Sequence, residues 1–84
     1  MQLAVGNARV LKSFVLAQPP RIVVDLADAK LKDVPAAPSG IARVRMGTSS
    51  PGKTRLVFEL SPEARTPRAM HTRVTKGNLA VSFR

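Results

Sequence analysis

Apolar and polar residues alternate with a period of two along most of the chain. In GIARVRMG (40–47), Ala42, Val44 and Met46 fall on one face, with Ile41, Arg43 and Arg45 on the other. Successive side chains of a strand point to opposite faces, so this stretch predicts a half-buried strand bounded by Gly40 and Gly47. NLAVSFR (78–84) repeats the pattern, with Leu79, Val81 and Phe83 on one side. RIVVDL (21–26) and RLVFEL (55–60) are instead almost continuously apolar and rich in branched residues. Such runs suit strands covered on both faces. ARVLKSFVLA (8–17) places Val10, Lys12, Phe14 and Leu16 on one face and Leu11, Val15 and Ala17 on the other, which predicts a strand inside a sheet. QLAV (2–5) opens the series as a short strand, and AMHTRV (69–74) presents a polar face.

Turn residues separate these runs. Gly6-Asn7, Gln18-Pro19-Pro20, Thr48 to Gly52, Ser61-Pro62 and Lys76-Gly77-Asn78 recur at strand-like intervals, the signature of a β-sandwich or a barrel-like meander. ADAKLKDVPAAPSG (27–40) breaks the rhythm and predicts a surface connection. Asp28 is placed to cap one helical turn carrying Leu31 inward, and Pro35 and Pro38 prevent a longer helix. The expectation is an all-β single domain over residues 1–84, a small sandwich of two similar sheets.

That expectation of similarity comes from an internal repeat. RIVVDL and RLVFEL share the order arginine, branched aliphatic, valine, apolar residue, acid, leucine. Residues 8–26 and 64–83 also share a layout: Ala-Arg, a strand with a large apolar centre, a turn, an apolar strand. Each is preceded by a further apolar strand. The chain therefore divides into two similar three-strand units joined by residues 27–47. The two matching hexapeptides do not occupy equivalent places within them.

Composition narrows the chemistry. A chain of 84 residues makes one domain with a modest core. It has no cysteine, so disulfides and thiolate metal sites are excluded. Its 14 Lys and Arg against 5 Asp and Glu give a net charge of +9, spread along the chain, which favours anionic partners. No stretch approaches the roughly 20 apolar residues of a membrane span, and the first residues lack the pattern of a secretory signal. His71 is the only histidine, so no metal-ligand cluster and no catalytic residues are expected. SSPGKT lacks the spacing of a phosphate-binding loop. Asp25 and Glu59, at matching places beside arginines, read as structural ion pairs rather than an acid–base pair. Single-strand nucleic-acid readers pair a basic groove with aromatic platforms. The three aromatics here, Phe14, Phe58 and Phe83, all sit in apolar runs assigned to the core, leaving only salt-dependent phosphate contacts.

FVLAQPPRIVVDLADAKL, then IARVRMG, then KTRLVFEL, resembles the AMIN domain from Phe14 to Leu60. The shared pattern is an F-x-L strand, a Pro-x-Arg-led strand closing in Asp-Leu, a strand with arginine two residues before glycine, and an Arg-led strand closing in acid-Leu. Both Pro19 and Pro20 precede Arg21, and beyond Leu60 only the strand layout is shared. The resemblance implies a non-catalytic module without cofactor, in a periplasmic protein. Family members precede a zinc-dependent N-acetylmuramoyl-L-alanine amidase domain or belong to type IV pilus secretins. They are thought to recognise peptidoglycan and bring the enzyme to the division septum. DLADAKL favours the amidase group.

On this reading Arg43 and Arg45 are the first candidates for holding peptidoglycan carboxylates, with Arg21 and Arg55 next. Arginine forks pair with carboxylates in bidentate fashion. The alternatives are a protein-interaction module of a pilus or secretion secretin, with envelope proteins as partners, and, third, a non-specific nucleic-acid-binding domain.

Overall fold

The computed structural model describes residues 2–31, 34, 36–37 and 40–84. Among the described residues seven strands form: β1 (Gln2–Ala4), β2 (Arg9–Leu16), β3 (Arg21–Ala27), β4 (Ile41–Ser50), β5 (Lys53–Leu60), β6 (Met70–Thr75) and β7 (Asn78–Phe83). They make two antiparallel sheets, a three-stranded one in the order β1-β7-β6 and a four-stranded one in the order β2-β3-β5-β4. The predicted all-β sandwich is present.

The two sequence units do not each form a sheet. The β2–β3 hairpin takes β5, the first strand of the second unit, while the β6–β7 hairpin takes β1, the first strand of the first unit. Each unit thus lends its opening strand to the other's hairpin, and β4 extends the four-stranded sheet beyond β5. This exchange explains why the two hexapeptides lie side by side. In the antiparallel β3·β5 register Val23 stands opposite Val57, Arg21 opposite Glu59 and Asp25 opposite Arg55. A segment that opens with arginine and closes with an acid is complementary to its own repeat when the strands run in opposite directions.

The inward sides of both sheets supply the core. Ile22, Val24 and Leu26 of β3 meet Leu56, Phe58 and Leu60 of β5, and Leu3, Leu79 and Val81 close the other side. Phe58 is the largest fully buried side chain. Each such residue contributes about 1.5–3 kcal/mol through removal from water. β3 is buried on both faces, as its continuous apolar run predicts, whereas the outward side of β5 is only half-buried.

Of three register shifts, one in β2 and two in β4, the first two along the chain change the faces expected from simple alternation. In β2 the register passes from Val10↔Leu26 to Lys12↔Asp25, leaving Leu11 unopposed and exposed. Val10, Ser13 and Val15 therefore pair on the core side, and Lys12, Phe14 and Leu16 on the outward side. β2 is also an edge strand rather than an interior one. Its inward Ser13 Oγ lies 3.3 Å from Thr72 Oγ1 of β6, joining the two sheets. In β4 the extra residue is Ala42. Ile41 pairs with Leu60 and is buried, while Arg43 pairs with Glu59 and is exposed. One inserted residue reverses the alternation on one side of it. β4 also runs on to Ser50, so Gly47 lies inside the strand rather than at its end.

The connection after β3 also departs from expectation. Asp28 takes a left-handed backbone conformation (φ 58°), and its N–H donates to Gly52 O at 3.0 Å. No helical turn follows among the described residues, although Leu31 does pack against the core. Pro35 and Pro38 lie outside the described residues.

Candidate functional site

The outward face of the four-stranded sheet gathers all four candidate arginines. Reading across β2-β3-β5-β4, the register aligns Leu16, Arg21, Glu59 and Arg43 in one row. The next row holds Phe14, Val23, Val57 and Arg45, and the third holds Lys12, Asp25, Arg55 and Gly47. Lys53 extends the face at the end of β5. Arg9, Lys12, Arg21, Arg43, Arg45, Lys53 and Arg55 stand against Asp25 and Glu59, so seven positive charges against two negative leave this face at +5. An apolar band, Phe14-Val23-Val57, crosses its middle.

The four arginines are not equivalent. Arg55 donates from Nε to Asp25 Oδ1 at 2.8 Å and from Nη2 to Oδ2 at 2.9 Å. Asp25 is only 5% exposed, and Lys12 Nζ is 3.8 Å from Oδ2. The hydrogen-bonded Arg55 guanidinium lowers the Asp25 pKa against an opposing effect of burial, with Arg55, Lys12 and Lys53 adding their charges. The same pairing raises Arg55. Arg55 also lies 5.8 Å from the centroid of the Phe14 ring, and Lys12 lies 5.6 Å from it, both within cation–π range. Arg55 is thus drawn across β3 and held.

The other three remain open. Arg21 donates to Pro19 O at 2.9 Å, and its cross-strand neighbour Glu59 is approached instead by Arg45, Nε to Oε2 at 3.8 Å. That distance is an ion pair without a hydrogen bond, and Glu59 Oε2 is buried with no hydrogen-bond partner. Arg45 is well exposed, and Arg43 makes no ion pair or hydrogen bond among the described residues. Arg43 and Arg45 therefore project side by side from β4, Arg43 unpaired among the described residues and Arg45 in an ion pair that leaves its hydrogen-bond donors unfilled.

A cavity of about 340 Å³ opens on the same face, lined by Arg45, Met46, Gly47, Thr48, Arg55 and Val57. Sequence reasoning missed Gly47, Val57, Lys12 and Phe14 as parts of this face. A glycine within an otherwise bulky strand was the available signal for Gly47. Two expectations about aromatics are corrected. Only Phe58 belongs to the core; Phe14 is half-buried on the basic face, and Phe83 is exposed at the end of β7. Phe83 borders a second cavity, about 600 Å³, with Leu60, Ala64, Pro67, Arg65 and Arg68. His71 is exposed on the other sheet. Among the described residues no group of three or more His, Cys, Asp or Glu could hold a metal ion, and no helix is long and apolar enough to cross a membrane.

The family model of the AMIN domain matches residues 1–83. The chain belongs to the AMIN domain family. No curated protein and no solved structure matches it. AMIN domains are non-catalytic peptidoglycan-binding or targeting modules of amidases and secretins, and they occur in periplasmic proteins. The family match extends the resemblance of residues 14–60 to β1 and to the β6–β7 hairpin. An AMIN domain with the topology seen here presents one broad basic sheet face, built around the paired hexapeptides, and a second, smaller sheet.

Proposed function

We propose that this AMIN domain binds peptidoglycan through the outward face of its four-stranded sheet and so holds a zinc-dependent cell-wall amidase at the division septum in the periplasm. The observation that carries the reading is the pair of exposed arginines on β4, Arg43 without an ion pair among the described residues and Arg45 with only a 3.8 Å one to Glu59, set on a face with excess positive charge. Stem peptides of peptidoglycan carry free carboxylates, and a guanidinium fork binds a carboxylate through two parallel charge-assisted bonds. Arg21 keeps donors beyond its bond to Pro19 and supports the same row. Arg55 serves the site while anchored to Asp25. Asp25 and Glu59 are structural partners of the arginines. No cofactor takes part. A polymer that repeats its carboxylates permits many weak contacts to add, so a flat face suffices.

Co-sedimentation with purified sacculi tests this directly. The domain is expected in the pellet at low ionic strength and increasingly in the supernatant as salt screens the face; retention in the supernatant at low salt refutes the reading. The double variant Arg43→Ala, Arg45→Ala should sediment poorly with its thermal midpoint unchanged, since neither side chain is buried or hydrogen-bonded.

One observation favours a second reading, a protein-interaction module of a secretin. β4 is a ten-residue edge strand, and an extended segment of an envelope partner would add to it as a further strand. Binding to sacculi stripped of protein distinguishes the two. The surface position of Phe14 keeps nucleic acid as the third candidate, to be judged by oligonucleotide titration at physiological salt.

A further inference from the structure

The cavity at Gly47 has a chemistry of its own. Gly47 stands opposite Arg55 on the outward face, and a Cβ built on it would meet nothing within 4 Å. Its backbone is not in the left-handed region, so no conformational need explains a glycine there. Within a strand whose outward neighbours are arginines, the missing side chain leaves a notch. Arg45 stands at one side, opposite Val57 and diagonal to Arg55, a separation of about 7–8 Å between such positions. Arg55 has its Nε and Nη2 turned to Asp25. What borders the notch is therefore the Arg45 guanidinium, held only by a 3.8 Å ion pair to Glu59 without a hydrogen bond, with Thr48, Met46, Val57 and the anchored Arg55.

We infer that this notch seats the chain-terminal carboxylate of a peptide ending in a small aliphatic residue, with Arg45 taking the carboxylate and Val57 the side chain. This deepens the peptidoglycan reading and rests on it, since it makes the stem peptide's free end, rather than the glycan, the group that is read. Three features point the same way. The Arg45 fork, ion-paired to Glu59 but with no hydrogen bond made, selects a planar anion. The adjoining valine selects against a bare inorganic ion. The cavity, near the lower end of the range for small-ligand pockets, suits the end of a peptide rather than a polymer strand. The Asp25–Arg55 pair acts here as a positioning element: it fixes the Arg55 guanidinium in the lining, with Nε and Nη2 turned toward β3.

Gly47→Val separates this idea from general charge attraction, because it fills the notch and leaves every charge in place. Valine is a favoured strand residue, and the built Cβ enters open space, so the thermal midpoint should equal or exceed that of the parent. Binding to native sacculi should fall about tenfold or more, with Gly47→Ala intermediate, and carbodiimide amidation of the sacculi should weaken the parent similarly. Equal sedimentation of parent and Gly47→Val overturns the notch and leaves peptidoglycan binding standing. Failure of the parent to sediment overturns the broader reading, and the notch is then judged by a second measurement. In an NMR titration with N-acetyl-dialanine, the free acid should shift the Gly47 amide and the Arg45 Nε–H, and the C-terminal amide should not. Identical responses to acid and amide, or none at Gly47, overturn the inference.

Discussion

Replacing Asp25 by Asn changes one charge at almost constant shape, and its consequences follow from the geometry. Both Asp25 oxygens accept from Arg55, at 2.8 and 2.9 Å. In the variant one of them becomes an amide nitrogen that faces a guanidinium donor, so at most one of the two bonds survives. A hydrogen bond to a charged group contributes about 1.5–3 kcal/mol. The Arg55 side chain is 41% exposed and partly screened by solvent, which places the loss in a lower range, about 1–2 kcal/mol at pH 7. For a domain of this size that lowers Tm by about 4–16 °C.

The pH dependence supplies the sharper criterion. The folded-state pKa of Asp25 lies below its unfolded value, so the unfolded chain binds more protons in this range and stability rises with pH. The contribution is complete above the unfolded value of about 3.9 and is lost as pH falls through the folded one. Parent and Asp25→Asn should therefore differ at pH 7 and converge progressively below pH 4. Thermal unfolding followed by circular dichroism across that range tests the argument. A Tm at pH 7 unaltered by the substitution, or a gap that stays constant into strong acid, would refute it.

Two further predictions concern the scaffold. Phe58→Ala should cost about 3–5 kcal/mol, a large share of the roughly 4–13 kcal/mol expected of 84 residues, and calorimetry should show the cooperative transition lost or displaced below 37 °C. The bulge in β2 predicts opposite outcomes at adjacent positions: Leu11→Ser should stay within about 0.5 kcal/mol, whereas Val10→Ser, on the core side, should cost about 1–3 kcal/mol by urea unfolding.

Much of this architecture was legible because a strand writes its two faces into its sequence. The strands, their turns at Gly, Pro and Asn, and the common outward face of Arg43 and Arg45 all follow from period-two alternation. Alternation fails where both frames are apolar. In VLKSFVL either Val10 or Leu11 can serve as the inward residue, and only pairing with β3 selects Val10. The repeat showed that two similar units exist, but strand exchange between them depends on contacts far apart in the chain, β1 with β7 and β3 with β5. Local pattern carries no record of that choice. Phe14 illustrates the same limit: a phenylalanine in an apolar run reads as core, yet the bulge three residues earlier turns it onto the basic face beside Lys12 and Arg55. The pairing of the two hexapeptides, by contrast, was written in the sequence as charge complementarity. Reading it required the antiparallel register.

The central claim, that peptidoglycan is bound on the outward face of the four-stranded sheet, is tested most directly by mapping amide shifts of the labelled domain with soluble peptidoglycan fragments. Perturbations are expected to concentrate in Arg43 to Thr48 of β4 and on the outward residues of β5, including Arg55 and Val57, with β6 and β7 unaffected. Perturbations confined instead to His71, Ser82 and Phe83 on the other sheet and its end would contradict it.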